Sequence, residues 1–134
     1  MKKILMLILI CFVQNTFSQS KKIEKTNSDD NVVYNMAEIQ VRPQFPGGTE
    51  KFHQFIAKNY KKSNEKTTLQ GLLFATFIIE KDGSLNNIKI VRDIGFGTGD
   101  ELLRVLKLSP KWKPGKKNNK EARTLYSLVF TVPK

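Results

Sequence analysis

LLFATFIIEKDGSLNNIKI, residues 72–90, decides the fold. Leu73, Ala75, Phe77 and Ile79 alternate along it, so one face of a strand over about 71–80 is apolar. The opposite face still carries Leu72, Phe74 and Ile78. Asp82-Gly83 follows at once. Between two apolar runs this dipeptide is a strong local signal for a hairpin, because it tolerates the positive φ that a tight reversal needs. Ile88 and Ile90 mark the return strand, about 85–92. The chain therefore contains an antiparallel pair.

Upstream, Ile39 and Val41 alternate with Gln40 and Arg42, a short strand that Pro43 ends. The turn RPQFPGG, 42–48, leads into a helix of about 50–60. Thr49 is placed to cap it and Glu50 suits its first turn. Phe52, Phe55, Ile56, Asn59 and Tyr60 recur at helical spacing. Lys61 to Thr68 is a polar connection.

Downstream, Asp100–Leu108 reads as a second helix with Leu102, Leu103, Val105 and Leu106 apolar, and Pro110 stops it. Lys111–Ala122 reads as a basic loop. Thr124–Val132 is the last strand, with Tyr126, Leu128, Phe130 and Val132 on one face and Leu125, Ser127, Val129 and Thr131 on the other. The order β-α-β-β-α-β defines an α+β domain, two helices packed on one face of a small antiparallel sheet.

The chain has 134 residues and a formal charge of +11, enough for one small basic domain. Lys2 and Lys3 precede an apolar run, Ile4–Val13, that is shorter than the roughly 20 residues a spanning helix requires. Small residues Thr16 and Ser18 then suit cleavage between Ser18 and Gln19. The expectation is a signal peptide over 1–18, with an uncleaved inner-membrane anchor as the alternative. Cleavage would remove the single cysteine, Cys11, and two lysines, lowering the charge from +11 to +9. Residues 19–37 are polar and read as a tether reaching at most ~65 Å when extended. The domain proper is then 38–134. Its basic balance suits acidic peptides, anionic lipid head groups or nucleic acid, and export weighs against nucleic acid.

Catalytic signatures are thin. His53 is the one histidine and reads as a surface residue beside Phe52. No His, Cys, Asp or Glu set has metal-ligand spacing. GFGTG, 95–99, looks like a phosphate loop, but Asp100 and Glu101 occupy the helix start where an anion would sit. KWKPGKK, 111–117, reads as a core-anchoring Trp112 followed by a solvated lysine turn, with a basic contact for lipid or nucleic acid as the other reading. The expectation is a binding module, with no enzyme chemistry and no cofactor.

Three segments in this order, PQFPGGTEKFHQFIAKN, LQGLLFATFIIEKDGSLNNIKIVRDIGFGTGDELLRVLKLSPKWKPGK and RTLYSLVFTVP, resemble the TonB C-terminal domain family in its Bacteroidota form. The resemblance runs from about Tyr34 to Pro133. It departs from the family at YKKSNEKTTLQG, 60–71, which is short and lacks the usual Tyr-Pro pair.

The resemblance implies a stand-alone periplasmic domain that binds the TonB box, a short peptide of outer-membrane transporters, in energy-coupled transport. The peptide would add as a strand to Thr124, Leu125, Tyr126, Ser127, Leu128, Val129, Phe130, Thr131 and Val132, with Lys120 and Arg123 as a basic flank. The alternative is a basic envelope protein docking on anionic lipid or cell-wall polymer. Oligomeric state stays open.

Overall fold

The computed structural model describes residues 28–62 and 69–133. The expected signal peptide, its Ser18/Gln19 junction and much of the tether lie outside them, as does part of the 61–68 connection. The elements are β1 (Val33–Tyr34), α1 (Thr49–Asn59), β2 (Leu72–Ile79), β3 (Leu85–Arg92), α2 (Thr98–Lys107), β4 (Gly115–Lys117) and β5 (Lys120–Thr131).

The sheet order is β1-β5-β2-β3, with β4 also paired to β5. β2 lies between β3 and β5, antiparallel to both, while β1 runs parallel to β5. The fold is α+β with a mixed sheet. Central placement explains why β2 is apolar on both faces. Leu73, Ala75, Phe77 and Ile79 point into the core, and Ile78 on the other side is only 8% exposed. From the helices, Phe52, Ile56, Leu102, Val105 and Leu106 complete that core, joined by Leu128 and Phe130 of β5.

Trp112 binds the layers together. It is 4% exposed and sits 4.7 Å from Phe52, 5.2 Å from Tyr126 and 5.9 Å from Phe77, ring centroid to centroid. Its indole N–H donates to Ser109 Oγ at 2.9 Å, so its one polar atom is satisfied. The Asp82-Gly83 turn closes on it. Trp112 N–H donates to Gly83 O at 2.8 Å, and a Cβ on Gly83 would stand 1.9 Å from Trp112 O. This close approach, together with φ 85°, requires glycine.

Several expectations need correction. The first strand is not Ile39–Val41. Val41 and Gln44 make only isolated bridges, to Lys116 and Lys113, and the paired strand is Val33–Tyr34, inside the stretch read as tether. Thr49 is the first helical residue and not the cap. Gly48 holds the cap position at φ 92°, and no side chain caps the helix. Residues 115–122 are not loop. They form a hairpin, Gly115–Lys117 against Lys120–Ala122, turned by Asn118 and Asn119 at positive φ. β5 therefore starts four residues before Thr124, and Val132 lies just past its end.

Helix α2 begins two residues earlier than expected because Asp93 organises its approach. The Asp93 carboxylate accepts from Gly95 N–H at 2.9 Å, Thr98 O–H at 3.0 Å and Gly99 N–H at 3.2 Å. The glycine loop thus closes on its own carboxylate. Replacing Asp93 with alanine is expected to lower stability by about 1 kcal/mol, the scale of a lost helix-terminal acceptor. The Gly95 N–H, above all, holds the Asp93 carboxyl below its usual 3.8. A depressed value stabilises the fold above 3.8, and that contribution fades as pH falls through the folded value. Urea unfolding of D93A and parent should therefore differ at neutral pH, and the difference should shrink as pH falls below 3.8 and through the folded value.

Candidate peptide-binding edge

β5 offers a long strand edge. Its inner side pairs with β2 from Thr124 through Thr131 without interruption. On its outer side β1 lies in register with Arg123 and Thr124. Among the described residues, no strand pairs with the outer side of Ser127–Thr131. Backbone polar groups alternate in direction along a strand. Val132 N–H donates inward, to Gly71 O at 3.1 Å. By alternation Tyr126, Leu128 and Phe130 direct their N–H and C=O groups toward β2. Leu125, Ser127, Val129 and Thr131 direct theirs outward.

The expected site residues thus divide. Thr124 is fully buried and already engaged by Tyr34, so an added strand cannot use it without displacing β1. Val132 is turned inward. In a parallel ladder Tyr34 bonds the residues on either side of its inward-turned partner Thr124, so its carbonyl takes the Leu125 N–H, and Ser127–Thr131 is the free edge of β5. The outward-bonding residues of β5 place their side chains on the helix-free face, where Leu125 and Val129 are 39% and 53% exposed.

Of the expected basic flank, Lys120 is exposed, but Arg123 is not a free cation. Its guanidinium grips Glu80 with two bonds, 2.8 and 2.9 Å, and donates to Asn31 O at 3.1 Å. The hydrogen bond from Arg123 holds the Glu80 carboxyl below its usual range. Arg123 therefore joins β5 to the end of β2 and to the chain leading into β1.

The other sheet edge, β3, is less suited to accept a strand. Its pairing with β2 shifts register twice, once around Asn87 at φ 48°. Such bulges bend an edge and break its hydrogen-bonding rhythm, a common defence against added strands. β5 carries no such break against β2.

Sequence reasoning missed three contributors here. β1 was hidden in a polar stretch, where Val32-Val33-Tyr34 was the one run of consecutive large apolar residues. Asp93 acts within six residues, and its place just before the GFGTG turn was the available signal; the Glu80–Arg123 pair left none, since it meets across 43 residues. His53 is exposed on α1. Among the described residues, no three His, Cys, Asp or Glu side chains gather as metal ligands, and no helix is long and apolar enough to cross a membrane. No protein-family model matches the chain, and no match was found among curated proteins or solved structures.

Proposed function

We propose that this protein is an exported, periplasmic TonB-like domain that binds an extended peptide, the TonB box of an outer-membrane transporter, by strand addition to β5. The regular outer edge of Ser127–Thr131, unpaired among the described residues, carries this reading. A peptide laid there gains main-chain hydrogen bonds from three alternate residues, Ser127, Val129 and Thr131, and side-chain contacts supply selectivity. The domain's role is in energy-coupled transport, and its chemistry is binding, not catalysis. The net positive charge of the chain favours acidic segments as partners.

A second reading rests on the β4–β5 hairpin, where Lys113, Lys116, Lys117 and Lys120 cluster in sequence and Lys113 and Lys120 are exposed. That hairpin would dock on anionic lipid or cell-wall polymer. Amide exchange with and without a TonB-box peptide separates the two. Protection of the outer β5 amides supports strand addition, whereas salt-sensitive liposome binding without that protection supports the second reading.

A further inference from the structure

The edge has a pocket at one end. β1 runs in step with β5, Val33 beside Arg123 and Tyr34 beside Thr124. Continued in register, Met36 would lie against Tyr126. The chain turns away instead. Asn35 Oδ1 accepts from Ala37 N–H at 2.9 Å and Glu38 N–H at 3.2 Å, while Asn35 N–H donates to Glu38 Oε2 at 2.9 Å. This asparagine turn ends β1 after two residues. A concavity of about 210 Å³ opens where the strand leaves, lined by Met36, Arg42, Phe45, Thr49, Trp112 and Tyr126 among others.

Its walls are aromatic. Phe45 stands edge-on to Trp112 at 5.6 Å, and Trp112 to Tyr126 at 5.2 Å. At about 210 Å³ the space falls short of the ~300–1,000 Å³ typical of small-molecule sites and suits one side chain. Arg42 is exposed and takes part in no salt bridge with another described residue. The Tyr126 hydroxyl has no hydrogen-bond partner among the described residues, yet it is not sealed from solvent.

Tyr126 points to the helix side of the sheet. In a strand added to the β5 edge, the residue opposite Tyr126 projects its side chain to that same side. We infer that this pocket selects the ligand: it takes one aromatic or large aliphatic side chain of an added strand, with an acidic neighbour drawn to Arg42. The inference rests on the strand-addition reading and adds a specificity position to it.

Trp112 is the chain's one tryptophan and forms part of the pocket wall, so its emission reports occupancy directly. The experiment uses the full chain and two acidic, tryptophan-free extended peptides that differ at one position, phenylalanine or serine. Trp112 emission and β5 amide exchange are followed together. The phenylalanine peptide is expected to bind about tenfold tighter, a modest part of what burying an aromatic side chain supplies, and to shift the emission.

Both peptides should protect the outer β5 amides. Thr49→Phe, at an exposed helix start with no side-chain capping bond, should fill the pocket and erase the preference, so that the two peptides bind with equal affinity. Equal affinities with the edge protected overturn the pocket and leave strand addition standing. So does a preference that survives T49F. If neither peptide protects the edge, strand addition fails and the pocket proposal falls with it.

Discussion

Replacing Trp112 with alanine is expected to cost about 3–5 kcal/mol, the usual loss for truncating a buried large aromatic. A domain of this size has roughly 5–15 kcal/mol in total, so much of its stability would go. The reason is geometric. The indole touches α1 through Phe52, β2 through Phe77 and β5 through Tyr126, and its backbone clamps the Gly83 turn. Removing it leaves a cavity bordered by three elements that cannot all collapse into it. Trp112→Phe keeps part of the aromatic contact and should cost clearly less. Urea unfolding followed by circular dichroism checks both. A loss below about 1 kcal/mol for W112A would show that the indole is not central to the core.

Replacing Val129 with proline is expected to abolish strand addition while leaving the fold in place. Val129 directs its N–H outward, so the substitution removes a donor to the incoming peptide and sets a ring in its path. Proline is tolerated on an edge strand when the lost N–H faces solvent. Leu128→Pro should behave in the opposite way. Leu128 is 3% exposed and directs its N–H toward β2, so this change breaks the central ladder and strips a core contact. The expected outcome for V129P is a near-parental melting curve with peptide affinity reduced more than tenfold, a loss of over ~1.4 kcal/mol in binding. L128P should fail to fold. Equal damage from both would mean that the alternation along β5 is misassigned.

Much of the fold was legible because its signals are local. The apolar alternation of β2, the Asp82-Gly83 reversal and the spacing of Leu102, Val105 and Leu106 are each contained within a few residues. Trp112 could be placed in the core from the proline-glycine turn that follows it. What escaped depends on partners distant in sequence. Val33–Tyr34 forms a strand only because Arg123 and Thr124 are there to pair with it. The β4 hairpin hides in a lysine-rich stretch whose composition resembles solvated loop. Its Asn118-Asn119 turn was the available clue, since asparagine accepts positive φ more readily than most residues. At the candidate site, the β5 strand was readable from period-two alternation. Its division into an occupied start and an open remainder was not, because that division is set by where β1 stops.

Amide hydrogen exchange along β5, measured free and saturated with an acidic extended peptide, tests the central claim most directly. In the free protein, Tyr126, Leu128 and Phe130 should exchange slowly because their N–H groups are held by β2. Ser127, Val129 and Thr131 should exchange quickly. Peptide binding should slow this second set and leave the first set nearly unchanged. If Ser127, Val129 and Thr131 stay fast at saturating peptide, the peptide does not add as a strand to β5 and the proposed function is wrong.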